Sequence, residues 1–82
     1  MTHEAILNKI TAILREVLDN DSIVLTDSTA AADVPGWDSF NHINFIVATE
    51  KYFGIRFRMH EIGALQNVGA FVDAIEKRTQ QG

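Results

Sequence analysis

Cysteine is absent from this chain, which excludes a disulfide framework, a thiolate zinc site and a thiol nucleophile. No apolar run approaches the ~20 residues that a membrane-spanning helix needs. Positive charge is scarce: 7 Lys and Arg stand against 11 Asp and Glu, for a formal net charge of −4. A nucleic-acid phosphate backbone is therefore not an expected partner. The first residues include Glu4 and no basic cluster, so they do not read as a secretory signal. What is present is globular: 82 residues, 46% hydrophobic and 22% charged, enough for one domain (1–82) with one small core. The expectation is a cytoplasmic monomer, not a membrane protein, with little room for a substrate cavity.

Charge is unevenly spread. Residues 1–38 hold seven acidic and two basic side chains, and residues 39–82 hold four and five. The acidity belongs to the first helix and the loop that follows. Ile6, Ile10, Ile13, Leu14 and Val17 recur at three- and four-residue steps, which is one face of an α-helix. Leu7 and Leu18 widen that stripe. Thr2 suits its N-cap, and Asp19-Asn20-Asp21 should end it. From Asp19 to Asp38 no period is sustained. Ile23, Val24, Leu25 and Val34 can pin this stretch to the core, and a short strand at Ile23–Leu25 is the competing reading. The single proline sits in Val34-Pro35-Gly36, which fits the centre of a type II turn.

Asp38 is an N-cap candidate for a second helix. Its apolar stripe is Ile43, Ile46, Val47 and Phe53, with Phe45, Ala48 and Tyr52 beside it, and Gly54 ends it as a left-handed residue. Met59 to Leu65 can form a short helix. Asn67 caps a last helix whose stripe is Val68, Phe71, Val72 and Ile75. The fold class is all-α: a small four-helix bundle, three long helices and one short, with a long loop between helices 1 and 2. Ile10, Leu14, Ile46, Phe53, Phe71 and Ile75 are expected to share the core.

The informative stretch is Gly36-Trp37-Asp38-Ser39-Phe40, where the long loop enters the second helix. An anion esterified to Ser39 would face the positive end of that helix. Asp38-Ser39 is also an ordinary helix start, so these residues alone leave both readings open. The order of elements adds weight. A helix of about fifteen residues, a long loop ending in Gly-x-Asp-Ser-apolar, a second helix ending in Phe-Gly, a short helix and a capped final helix together resemble the acyl carrier protein family. The likeness runs from about Ile6 to Ile75 and includes Glu50-Lys51-Tyr52-Phe53-Gly54-Ile55.

The resemblance implies that Ser39 is esterified by a pantetheine 4'-phosphate arm taken from coenzyme A, and that Asp38 helps hold Mg²⁺ inside the modifying enzyme's complex. It implies a carrier and not an enzyme. The chain would hold an acyl or aminoacyl group as a thioester and present it to other proteins. Those partners would be a phosphopantetheinyl transferase and acyl-loading, acyl-transfer or condensing enzymes. Two departures stand out: Phe40 follows the serine where the family usually has Leu or Met, and the second helix is poor in acids. The second of these leans towards a specialised pathway. The alternative is a small helical interaction module with no prosthetic group, anchored by Trp37 and Phe40.

Asp38, Phe40, Val47 and Trp37 are the expected partner-binding residues. Trp37 equally suits a ring that covers the loop–helix junction. His42 reads as a surface histidine at the partner face. A Ser39-His42-Asp38 triad is rejected, because three residues on one helical turn cannot set acid behind imidazole. His3 and His60 have no metal-ligand spacing, so no metal site is expected. Arg56, Arg58 and His60 read as a solvated edge.

Overall fold

A computed structural model describes residues 2–58 and 67–81. Its helices are α1 (His3–Val17), a 3-10 turn at Ala31–Asp33, α2 (Ser39–Phe53) and α3 (Val68–Gln81). The short helix expected over Met59 to Leu65 lies outside the described residues. No strand pairs among the described residues, so the alternative at Ile23–Leu25 does not form. No helix among them is long and apolar enough to cross a membrane.

Each long helix starts where its sequence caps it. The Thr2 hydroxyl accepts from the Ala5 N–H at 3.1 Å, and Asn67 Oδ1 accepts from the Ala70 N–H at 2.8 Å; each satisfies an otherwise orphaned donor. Beyond Val17, Leu18 still has helical angles and Asp19 turns left-handed at φ 50°. Asp tolerates that region better than most residues.

Helix α1 packs against both α2 and α3. Its Ile6, Ile10 and Leu14 are wholly buried, and Phe45, Ile46, Val68, Phe71, Val72 and Ile75 close over them. Of the six residues expected to share the core, five do; Phe53 is only partly buried at its edge. The α2 stripe needs correction. Its buried face is Phe45, Ile46 and Thr49, while Ile43 and Val47 face solvent. Apolar side chains occupy 43, 45, 46 and 47 in near succession, so the helix could bury either edge of the run. Phe45 decides the rotation by joining an aromatic cluster. It lies 5.1 Å from Phe71 and 5.4 Å from Trp37 between ring centroids, and Phe71 lies 5.3 Å from Phe57. Such pairs add to what area burial alone supplies.

The loop from 19 to 38 is irregular and strapped down. Ile23, Leu25 and Val34 insert into the core while Val24 points out. Arg15 Nε donates to the Ile23 carbonyl at 2.8 Å. The N–H groups of Val68 and Gly69 donate to the carbonyls of Thr29 and Asp27, both at 2.8 Å. The loop thus satisfies the orphan donors of the α3 start. Gly69 permits this approach: a Cβ there would stand 3.0 Å from the Asp27 carbonyl oxygen.

Candidate functional site

The turn before α2 takes the form its sequence dictates. Gly36 has φ 87° and the Trp37 N–H returns to the Val34 carbonyl at 3.2 Å, a type II turn with Pro at its second position and Gly at its third. Asp38 then caps α2, its Oδ1 accepting from the Asn41 N–H at 2.8 Å. The Asn41 side chain donates back to the Gly36 carbonyl at 2.9 Å. Turn and helix start are therefore stapled to each other from both sides.

Ser39 is the first residue of α2 and is exposed. Its hydroxyl stands at the positive end of a fifteen-residue helix, where a phosphate ester is electrostatically favoured. Beside it runs an open groove of about 570 Å³ lined by Ala31, Trp37, Asp38, Ser39, His42 and Ile43. Along the outer face of α2, Phe40, Ile43 and Val47 are 73%, 63% and 45% exposed. At steps of three and four they form one apolar stripe leading away from Ser39. The structure thus gathers Asp38, Ser39 and Phe40 at the helix start and sets Val47 on the same outer surface.

Trp37 and His42 are placed differently. Trp37 is half-buried, edge-on to Phe45, and its indole N–H donates to His42 Nδ1 at 3.0 Å. It covers the loop–helix junction. His42 is not a surface histidine: it is half-buried against the indole, and burial lowers its pKa below the usual histidine value. The neutral ring keeps the lone pair that accepts the indole proton. With Nδ1 so engaged, His42 has no role as base towards Ser39. Ile43 is a site residue that the sequence did not reveal, and for His42 the sequence missed its tie to Trp37. The usable signal was the Trp-to-His spacing across the helix start, which puts an indole donor within reach of an imidazole one turn in.

His3 has no metal-ligand spacing along the chain. The fold nevertheless brings it beside acidic residues from two other segments. Its Nε2 lies 2.7 Å from Asp27 Oδ1, and its Nδ1 lies 3.5 Å from Asp73 and 4.0 Å from Glu76. His60 lies outside the described residues. Arg56 and Arg58 are exposed.

No family model matches the chain. It is 27% identical over 77 residues to the acyl carrier protein of Thermotoga maritima, covering 94% of this chain and 95% of that one. In three dimensions it is similar to the holo acyl carrier protein of Geobacter metallireducens, solved by solution NMR. The TM-score is 0.86 and the identity 43%, and the match covers 92% of this chain and 86% of that chain. With this identity over nearly the full length of both chains, on one shared helical fold, the chain belongs to the acyl carrier protein family.

Proposed function

We propose that this chain carries an acyl or aminoacyl intermediate as a thioester on a phosphopantetheine arm esterified to Ser39, and presents it to the enzymes of a specialised biosynthetic pathway. The observation that carries this reading is the exposed Ser39 hydroxyl on the first residue of α2, beside an Asp38 cap and at the edge of an open groove. The residues present fit the arm. The serine is accessible, the helix end favours its phosphate, and the groove gives the arm a surface to lie on. When bound, the arm supplies the terminal thiol that this cysteine-free chain lacks. Its reach raises the local concentration of cargo at each partner site. The protein's own residues hold, orient and present. They perform no bond-breaking step.

The specialised pathway is supported by the character of α2. Between Asp38 and Phe53 the charged residues are Asp38, Glu50 and Lys51, and the outer face is apolar. Partners that rely on long-range attraction to an acidic helix would find little here. A transferase and the acyl-loading, acyl-transfer or condensing enzymes would instead meet Phe40, Ile43 and Val47, with Asp38 at the modified end.

The test is intact mass after incubation with coenzyme A and a broad-range phosphopantetheinyl transferase. The native chain should gain one arm. Ser39→Ala should gain none, while folding with a change under about 0.5 kcal/mol, as exposed substitutions usually do. An Ala variant that still gains the arm refutes the attachment site. A native chain that gains none favours the prosthetic-group-free interaction module.

A further inference from the structure

Behind the groove at Ser39 lies a second, smaller space. It is an apolar cavity of about 50 Å³ floored by Ile10, Phe45, Val68 and Phe71. Thr29 and Asn67 complete its rim. Groove and cavity share three lining residues: Ala31, Trp37 and His42. Among the described residues, what stands between the carrier serine and the core is therefore the pair Trp37–His42, with Ala31 of the 3-10 turn alongside.

This wall is held from two directions. The Trp37 ring packs edge-on to Phe45 at 5.4 Å between centroids, and its N–H is tied to His42 Nδ1 at 3.0 Å. Indole N–H is a donor only, so swinging Trp37 inwards strands that donor among apolar side chains, and swinging it outwards gives up the ring contact with Phe45. The cavity behind it is small. A dry apolar cavity that accepts benzene measures about 150 Å³, three times this one. A saturated chain of more than a few carbons fits only if the wall moves.

We propose that the hydrogen-bonded Trp37–His42 pair determines cargo specificity: it keeps the group carried on Ser39 in the surface groove and bars longer saturated chains from the core. This rests on the carrier reading of Ser39. The groove mixes Asp38, Ser39 and His42 with Trp37 and Ile43, a lining that suits a short acyl group bearing polar substituents better than a fatty chain. Trp37 and His42 are positioning residues here, since they decide where cargo lies without taking part in its transfer.

Two measurements separate this proposal from the carrier reading. The first needs no arm: n-hexanol is titrated into the unmodified chain and followed by amide NMR shifts at Ile10, Phe45 and Phe71. The native chain should show no saturable shifts there, and Trp37→Ala should. Trp37→Phe keeps a ring against Phe45 but has no N–H. It should also gain saturable binding, and it decides the matter if the Ala variant does not fold. Saturable core binding by the native chain, or none in a folded variant, overturns the proposal. The second compares hydroxylamine cleavage of acetyl and octanoyl thioesters on the loaded chain, after mass confirms one arm. Native rates should be alike. Octanoyl cleavage on the Trp37 variant should slow by about tenfold, as cargo that is mostly buried is mostly out of reach. An octanoyl group already protected on the native chain overturns the proposal. If mass shows no arm, the Ser39 reading fails while the hexanol titration still judges the wall.

Discussion

Phe71 shows how much one side chain carries in so small a core. It touches Phe45 and Phe57 through its ring, it is buried, and it floors the cavity behind Trp37. Phe71→Ala should cost about 3–5 kcal/mol, a large share of the roughly 5–15 kcal/mol that holds a domain together. Thermal or denaturant unfolding measures it, and a midpoint unchanged by the substitution would contradict the packing of α3 described above. Phe71 was legible in the sequence because Val68, Phe71, Val72 and Ile75 keep a clean period of three and four residues. His42 was not. Its partner Trp37 sits five positions away on a non-helical segment, so no periodicity relates them, and a polar residue on an exposed helix start reads by default as solvated. Ser39 lay between these cases. Its position after Asp38 was plain, but accessibility and the adjoining groove are properties of the fold.

At the scale of the element, α2 is the ambiguous helix. Its start and end were readable from Asp38 and Gly54, and both hold: Asp38 caps through Asn41, and Gly54 ends the helix at φ 67°. Its rotation was not readable, because apolar residues nearly encircle its middle. The outcome leaves Phe40, Ile43 and Val47 outside, an apolar face of the kind found at the centre of partner contacts. Recognition through such a face lacks a long-range electrostatic term, so acyl transfer to the native partner enzymes should depend weakly on ionic strength. Val47→Glu places a charge in that contact and should impair transfer while leaving the melting temperature nearly unchanged, since Val47 is already partly in water. Transfer rates across a salt series for both chains provide the check. A steep loss with salt, or an unimpaired variant, would assign recognition to charge steering by the acidic first half.

Across the whole molecule, the long loop is the part the sequence explained least. Its inward residues were visible as isolated aliphatics, but its ties are backbone carbonyls offered to the α3 start, and any sequence has carbonyls. His3 is a side-chain counterpart of those ties, joining the α1 start to loop Asp27 and to Asp73 and Glu76 of α3. The hydrogen bond to Asp27 raises its pKa above the usual 6.5, helped by the charges of Asp27, Asp73 and Glu76 and opposed by desolvation. A raised folded pKa contributes stability that is complete below pH 6.5 and is lost as pH climbs through the folded value. The melting-temperature gap between the native chain and His3→Gln should therefore be widest in mild acid and close towards alkaline pH. A gap that widens with pH would exclude the ion-paired imidazolium. His42 works in the opposite sense: its depressed pKa costs the fold nothing where the ring is neutral and penalises it in acid, so only the difference between variants isolates His3.

The strap from Asp27 and Thr29 to Gly69 and Val68 also has a temporal side. It joins positions some forty residues apart, and closing so long a chain segment costs entropy that local helix formation does not. On the ribosome, α1 and α2 can form as they emerge, and the loop can lay Ile23, Leu25 and Val34 against them, but its ties from Asp27 and Thr29 wait for α3. The last ties of the loop that leads to Ser39 are thus among the later features to be assembled, although Ser39 itself is synthesised well before Val68 and Gly69.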